Sequence, residues 1–535
     1  MRASIILTTA IAIGFLQSHH VTDDTLMNSL PMQLKFDSPL PNVVGNADYD
    51  HYCRELDLMD DLCHRSGLDD DIAEFVLEMN QRRYDAMRAS KGLPPKSFSN
   101  KKNKRLRENA IMLFRAALLR KYESESLRPF CRNVAAHPAR QWFCKINRFA
   151  EAKIFSKSQL NDFENALPAD FLQQVQAKLL QAACGEIDLT TGRTPLGLEQ
   201  PISIGPCYAD TTCLQANIHH PVDWVLFRDA TRTLMLAVAL IRENGLRNRM
   251  PCEPAGFISQ INKLCIQMAQ CRRQKNSRKR RKQVLREMKR LLKKVEGHAL
   301  RHVELLKKHR DKSNLTEMQA HLILDRTRRI LEQLDTVVWQ AHERIIGERR
   351  VPNHKKTLSL YEKDIQVIVR GKANAETEFG NTLLLVEQVD GLIVDSQLLQ
   401  DKSPGDAALL LESMERLDLM LPEKVDSFAT DRGFDSPAVR ELLESKNIFN
   451  AVCPKSPAAL IERLNEPEFR RHQKRRAQTE ARIAILNHFM SNPMLQKGFE
   501  HREIHMRLSV LAHNIKKLAR LRCAQEARSP TRIVA

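Results

Sequence analysis

Apolar residues between positions 48 and 184 recur at three- and four-residue steps, as in 111–119, 135–142 and 171–180. That spacing puts apolar side chains on one face of a helix and predicts a helical segment. A loop rich in Gly and Pro follows at 185–206. In 207–214, β-branched and small apolar residues cluster without helical period, which predicts a strand.

A second helical region is predicted from Trp224 to about Ile346. Asn314 with Glu317 resembles a capping box, so we expect a helix to begin there. Apolar residues on either side of this point follow alternating steps of three and four, which is the pattern of a coiled-coil seam. They are Leu285, Met288, Leu292, Val295 and Ala299, then Ile330, Leu334, Val337 and Ala341. Two such helices joined by a short turn predict an antiparallel hairpin.

Strand signals return after Pro352. Two apolar runs flank the turn at Asp390-Gly391 and predict a hairpin. Later segments alternate between strand and helix patterns: helix 407–419, strand 424–430, helix 437–445, strand 448–453, and helices 468–490 and 504–520. From residue 207 the order is strand, helical insertion, strand, strand, helix, strand, helix, strand, helix. Without the insertion, this is the order of a ribonuclease-H-like fold.

The predicted fold class is therefore α/β (α+β), with a ribonuclease-H-like domain interrupted by a basic helical insertion and preceded by an all-α domain. The predicted boundaries are a poorly defined segment 1–47, a helical DNA-binding domain 48–190, the ribonuclease-H-like domain 200–223 with 375–525, the insertion 224–352, and a tail 526–535.

The formal net charge of +19 indicates a polyanionic partner, with DNA or RNA favoured over a membrane surface. A basic protein that is merely soluble is the alternative. Two basic clusters are candidate phosphate contacts: Lys101 with Lys102, and the run Arg278, Lys279, Arg280, Arg281 and Lys282. Solvated surface faces or a disordered tail are the alternatives for these clusters.

The twelve cysteines have no zinc-ligand spacing, and a chain of 535 residues does not need disulfide staples. We therefore expect reduced thiols in a cytoplasmic protein. Arg2 followed by the apolar run 3–16 resembles a short signal sequence, but the run is too short to span a bilayer. A buried helix or a start codon placed too far upstream is favoured over export.

Three acidic residues are candidate catalytic groups: Asp210 within the first strand, Asp431 at the end of the fourth, and Glu480 on the helix after the fifth. A charge within an apolar strand is costly unless a partner neutralises it, and a metal ion is such a partner. Two Mg²⁺ ions could clamp the attacking and leaving oxygens of a phosphodiester. Alternatively, Asp210 caps a turn, Asp431 is an N-cap, and Glu480 is a surface glutamate.

The block Asp210-Thr-Thr-Cys-Leu-Gln-Ala-Asn-Ile-His-His-Pro-Val-Asp223 resembles the first-aspartate block of the DDE transposases of bacterial insertion sequences, with His220 and Val222 where Tyr and Thr are usual. Glu378-Phe-Gly380 resembles the motif that opens the second strand, and Ala429-Thr-Asp-Arg-Gly-Phe-Asp-Ser436 resembles the second-aspartate block. Arg476-Ala-Gln-Thr-Glu480 matches the pattern of the last catalytic helix, but Gln473 and Asn487 stand where some relatives have Tyr and Lys.

The resemblance implies cleavage at insertion-sequence ends and strand transfer into target DNA. Asp210, Asp431 and Glu480 would hold two Mg²⁺ ions, for which Mn²⁺ would be a substitute, and Arg476 would contact DNA. It also implies a homodimer on DNA that binds terminal inverted repeats and target DNA. Two alternatives remain: a nuclease that cuts without joining, and a catalytically inactive or domesticated DNA-binding protein. For His219 and His220, the family pattern favours structural or DNA-contacting roles over metal ligation.

Overall fold

The computed structural model describes residues 40, 45–146, 152–273, 275–372, 375–421, 424–490 and 493–528. The apolar run 3–16 lies outside these residues. No helix in the described part of the chain is long and apolar enough to cross a membrane. None of the twelve cysteines forms a disulfide, and more than half of them are buried.

The first helices in the described part of the chain share a hydrophobic core with the sheet at the centre of the protein. Leu56, Phe114 and Leu179 from this region lie in the same buried cluster as Leu384 and Val386 of the sheet. The helices therefore pack as one layer on the rest of the protein. Their bounds are α1 Ala47–Arg65, α2 Leu68–Ala89, α3 Asn100–Glu123, α4 Leu127–Ala136, α5 Pro138–Phe143, α6 Lys157–Ala166 and α7 Ala169–Ala183.

A mixed sheet forms the centre of the protein. Its strands are β1 Pro206–Gln215, β2 Gln366–Lys372, β3 Ala375–Gln388, β4 Ile393–Leu398, β5 Ser427–Ala429 and β6 Phe449–Asn450. β1 lies between β3, to which it is antiparallel, and β5, to which it is parallel. β6 extends the sheet beyond β5, and β4 and β2 pair with β3 on its other side. Five of the strands thus follow the spatial order β4-β3-β1-β5-β6.

Helices follow the strands and cover the sheet. They are α12 Asp406–Met420, α13 Pro437–Ser445, α14 Pro457–Arg463, α15 Pro467–Arg476, α16 Thr479–Met490 and α17 Phe499–Arg528. The predicted single helix 468–490 is wrong, because the chain breaks between Arg476 and Thr479. Arg475 donates to the carbonyl of Val389 at 3.0 Å, while Thr479 donates to Glu387 at 2.9 Å. Contacts with the sheet on both sides of the break outweigh the local helix propensity.

The insertion after β1 is a four-helix bundle of α8 Asp223–Glu243, α9 Pro254–Gln270, α10 Ser277–His309 and α11 Glu317–Ala341. The predicted seam residues of α10 and α11 are buried, in a cluster that also contains Phe227 and Leu234 of α8 and Phe257 of α9. The apolar seams of α10 and α11 are therefore buried in the core of this four-helix bundle, not in a two-stranded coiled coil. The predicted cap was also wrong, because Thr316 and Gln319 form the capping box of α11.

Gly380, the last residue of the Glu378-Phe-Gly380 motif, marks a close approach of β3 to β1. It pairs with Gln215, and a methyl group at this glycine would lie 2.9 Å from the Cα of Gln215 and still closer to the carbonyl oxygen of Leu214. Both atoms belong to the backbone of a central strand, which can shift only at a large cost in free energy. Glycine at this position is therefore required by packing.

Lys121 of α3 is buried against α17. Its Nζ lies 3.0 Å from Nδ1 of His505, and neighbouring Arg120 forms a paired ion bridge to Glu164 at 2.7 Å. Burial and the charge of Arg120 lower the pKa of Lys121 to about 7, against the attraction of Glu164. Burial and these cations also hold the pKa of His505 well below its usual value. Because His505 is neutral, its Nδ1 can accept a hydrogen bond from Lys121.

We expect Gly380→Ala to lower the free energy of unfolding by about 2 kcal/mol, because the added methyl overpacks the β1–β3 contact. Gly297→Ala is the matched control. It lies within α10, where the nearest atom to an added methyl is Arg301 Nη1 at 3.6 Å. This control should stabilise the protein by about 0.5–1 kcal/mol. Urea unfolding measures both, and equal effects of the two substitutions would contradict the packing account.

Stability should also rise with pH above 7, because the unfolded chain, with Lys121 near its ordinary pKa of 10.5, binds more protons than the folded one. The contribution approaches about 1.4 kcal/mol per pH unit at most. Lys121→Met should therefore gain stability over wild type at pH 7 and lose that advantage toward pH 10, while the exposed control Lys101→Met should not. Urea unfolding across this pH range measures the difference in free energy of unfolding between Lys121→Met and wild type. A difference that does not change with pH would refute the lowered pKa of Lys121.

Candidate active site

Asp210 lies within β1, and Asp431 lies just beyond the end of the neighbouring strand β5. Tyr208 of β1 pairs with Ala429, the last residue of β5, in parallel register, and each aspartate follows its member of this pair by two residues. Both side chains are half-buried. The backbone of Thr211 donates to Oδ1 of Asp210 at 2.8 Å, and that of Gly433 donates to Oδ1 of Asp431 at 2.8 Å. Asp431 thus does cap the short turn Arg432–Phe434, as the alternative interpretation had it.

Asp406, which the sequence analysis missed, is a further carboxylate at this edge. It begins α12 and accepts from Thr211 Oγ1 at 3.2 Å. A methyl group at Gly433 would lie 2.7 Å from Asp406 Oδ2 and 3.0 Å from Asp431 Oδ1, so both carboxylates approach this glycine. In the sequence, an acid in the first turn of a helix is ordinary, because it complements the helix dipole. Only the fold brings Asp406 beside Asp431.

Glu480 lies in the first turn of α16, and its side chain is exposed. The preceding helix α15 covers the sheet face that carries Tyr208, whose hydroxyl lies 3.2 Å from Nδ1 of His472. Alternate side chains of a strand point to the same face, so Asp210 faces the side on which α15 and α16 lie. In the described residues, however, no three His, Cys, Asp or Glu side chains converge closely enough to hold a metal ion. The structure brings the aspartates together and leaves Glu480 outside them.

Glu387, near the end of β3, anchors the α15–α16 junction and was also missed. Its side chain is 1 % exposed. Oε1 accepts from Arg475 at 3.0 Å and from Thr479 at 2.9 Å, and Oε2 lies 3.9 Å from Arg482. A buried charge needs such partners. Through Thr479 this glutamate fixes the start of the helix on which Glu480 is the next residue.

Gln473 ties α15 to the strand ends beside Asp431. Its amide nitrogen donates to the carbonyls of Thr430 at 3.2 Å and Ala451 at 2.6 Å. Its amide oxygen accepts from Nε of Arg476 at 2.9 Å. The residue that stands where some relatives carry Tyr thus positions Arg476 near the residue that precedes Asp431.

His219 and His220 make structural contacts. Nε2 of His219 lies 2.7 Å from Oδ2 of Asp229, and the ring of His220 meets the ring of Phe379 edge-on at 5.4 Å between centroids. Trp224 is partly buried against the bundle core. The predicted preference for structural over metal-binding roles of the two histidines agrees with these contacts.

The side chains predicted to contact DNA differ in their exposure and in the contacts that they make within the protein. Nζ of Lys102 lies 3.6 Å from the ring centre of Phe98, and burial lowers its pKa, whereas Lys101 is exposed. In the bundle, Lys282 pairs with Glu348 at 2.8 Å, and Arg278 lies 3.8 Å from the same carboxylate. Lys279 and Arg280 are exposed, and Arg281 is half-buried.

The carboxylates of Asp210, Asp431 and Asp406 lie toward one edge of the sheet and carry the hard oxygen atoms that Mg²⁺ prefers, although in the described residues they do not converge on a single ion position. Oδ2 of Asp431 accepts no hydrogen bond from the described residues. The chemistry of this donor set fits a hard divalent cation.

Residues 349–523 match the family described as the transposase DDE domain. The chain therefore carries a transposase DDE domain, and the predicted relationship to DDE transposases is confirmed. The matched stretch contains Asp431 and Glu480, whereas Asp210 lies outside it and joins it through the pairing of β1 with β3 and β5. This family supports a general function in transposition. Comparisons with curated proteins and with solved structures gave no match.

We expect Glu387→Gln to lower the free energy of unfolding by about 3 kcal/mol, because it removes the charge of a buried carboxylate that pairs with the partly buried Arg475. The matched control is Glu412→Gln on α12, where the side chain is half exposed and lies 3.9 Å from Arg416. An exposed pair of this kind contributes at most about 1 kcal/mol. Thermal and urea unfolding measure both variants. Similar stabilities for the two would show that Glu387 does not anchor the helix junction.

Proposed function

We propose that the protein is an active DNA transposase that cleaves DNA at insertion-sequence ends and joins the freed end to target DNA. The observation that carries the proposal is the parallel register of β1 and β5, in which Asp210 of β1 and Asp431, just beyond the end of β5, each follow the last paired residue by two positions, within a sheet whose later strands lie in the transposase DDE domain. We infer that this sheet is the core of a ribonuclease-H-like catalytic domain.

Asp210, Asp431 and Glu480 act together as the catalytic carboxylates. Two Mg²⁺ ions, or Mn²⁺ in their place, would lower the pKa of the attacking hydroxyl group and neutralise charge on the leaving oxygen. In the first reaction the oxygen of water bonds to phosphorus and the bond to the 3′-oxygen breaks. In the second, the oxygen of the freed 3′-hydroxyl bonds to a phosphorus atom of target DNA, the bond from that phosphorus to the target's 3′-oxygen breaks, and the cut target strand leaves with a free 3′-hydroxyl. Glu480 must move from its exposed position toward the aspartates when DNA binds.

Basic residues near this edge bind the DNA backbone. Arg476, held by Gln473 beside the Thr430–Asp431 segment, is placed to contact a phosphate near the cut. Lys101 and the basic start of α10 add contacts further away, so affinity should fall steeply with salt. Because two element ends are joined, the functional unit is a homodimer on DNA that holds terminal inverted repeats and target DNA.

Asp431→Asn should lower the rates of end cleavage and strand transfer at least about 100-fold, because it removes a charged group that stabilises the transition state. DNA affinity should stay the same or increase, since the variant carries one negative charge fewer beside the DNA backbone. Asp401→Asn, an exposed aspartate in the loop before α12, is the control and should leave both rates unchanged. Gel assays on labelled duplexes that carry the ends of the element, with Mg²⁺ or Mn²⁺, measure both reactions.

The products separate this proposal from its alternatives. Cleaved ends without joined strands would identify a nuclease that cuts but does not transfer. DNA binding with no cleavage in wild type, equal to that of Asp431→Asn, would identify an inactive or domesticated DNA-binding protein derived from a transposase. Either result overturns the proposal of an active transposase.

A further inference from the structure

A recess rich in arginine lies at the base of the four-helix bundle. It is lined by Arg278, Arg281, Arg344, Arg349 and Arg350, with Ile345 and Glu348, and encloses about 440 Å³. We call these five arginines the arginine pocket. The start of α10 supplies two of them, and the segment that follows α11 supplies the other three. The fold thus joins two basic stretches that lie far apart in the sequence.

The acidic residues around the arginine pocket balance only part of its charge. Arg344 pairs with Asp223 at 3.0 Å, and Arg349 pairs with Glu343. Glu348 is shared between Lys282 and the distant Arg278. Among the described residues, Arg281 and Arg350 form no ion pair, so at least two guanidinium groups there lack a counter-charge.

Two further observations indicate that the pocket suits an anion. Nε of Arg281 is buried yet makes no hydrogen bond within the described part of the chain. Nearby Lys356 has a lowered pKa, caused first by burial and then by the charges of Arg344 and Arg350. Positive charges that repel one another in this way are stabilised by a bound phosphate, which guanidinium groups can hold through paired hydrogen bonds.

The pocket is connected directly to the catalytic sheet. Asp223 begins α8 shortly after the end of β1 and binds Arg344, while Ala216, between them, pairs with Met494 beyond α16. The base of the bundle therefore lies beyond the carboxyl end of β1. Since β5 runs parallel to β1, Asp431 lies toward the same edge of the sheet.

We propose that the arginine pocket binds a backbone phosphate of DNA, at a position separate from the catalytic carboxylates. The proposal rests on the proposed function for the identity of the ligand as DNA. It assigns to the bundle the role of holding the duplex that leaves the active site. Within the basic run 278–282, it singles out Arg281 as the phosphate contact, together with Arg350 from the segment after α11.

The test compares two double variants of the full chain, each of which removes two positive charges. Arg281→Gln with Arg350→Gln alters the arginine pocket. Lys293→Gln with Lys294→Gln alters exposed lysines of α10, about 18 Å along the helix from Arg281. The affinity for a labelled duplex is measured by fluorescence anisotropy at several salt concentrations, after unfolding curves have shown that both variants fold.

The pocket variant should weaken binding at least about tenfold and reduce the slope of log affinity against log salt by about one for each DNA phosphate that the protein no longer neutralises. The lysine control should leave the slope unchanged. Equal slopes for the two variants would overturn the proposal. If the double variant does not fold, the single change Arg350→Gln at an exposed residue gives the same comparison.

Two parallel measurements separate the possible failures. Calorimetry with inorganic phosphate tests for a small-anion site, and phosphate binding that depends on Arg281 but is not displaced by duplex DNA would overturn the assignment to DNA. End cleavage by wild type is followed with the same duplex. If the pocket variant changes the salt slope but wild type does not cleave the duplex, the arginine pocket binds DNA and the proposal of an active transposase is wrong. If wild type cleaves the duplex but the slopes are unchanged, the transposase is active and the proposal for the arginine pocket is wrong.

Discussion

The rest of the structure depends on the pairing of β1 between β3 and β5. β1 comes before the four-helix bundle in the chain, and both of its partners come after it. This pairing aligns Asp210 with Asp431 and closes the sheet around a strand that the family match does not include. Gly380 permits it, because no side chain fits where β3 crosses the end of β1. Any change that displaces β1 therefore separates the two aspartates.

The helices around the sheet support this arrangement in different ways. The bundle buries the apolar seams of its own helices, so it forms a folded unit between β1 and the strands that follow it in the chain. α17 packs across the N-terminal helices, where the Lys121–His505 contact is buried. On the sheet face that carries Tyr208, Glu387 and Gln473 bind α15 and the start of α16 to the strands. The side chain of Glu480, one residue beyond the anchored Thr479, is left exposed.

Local patterns in the sequence predicted the order of strands and helices along the chain, the positions of Asp210 and Asp431 in that order, and most helices, because strand and helix periodicity and short motifs are local properties. The capping box of α11 was assigned to Asn314 and Glu317 instead of Thr316 and Gln319, since both pairs have the required spacing. The break before Thr479 and the roles of Glu387 and Asp406 were missed. Each depends on contacts between residues far apart in the chain, which periodicity does not record.

The central claim is that Asp210, Asp431 and Glu480 share metal ions when DNA is bound. The most direct measurement is the anomalous scattering of Mn²⁺ in crystals of the protein with a duplex that carries an element end. The expected result is a manganese peak between Asp210 and Asp431, with the Glu480 carboxylate turned inward to within roughly the 2.0–2.2 Å of a metal–oxygen bond. A DNA complex with manganese elsewhere, or with Glu480 still facing solvent, would contradict the claim.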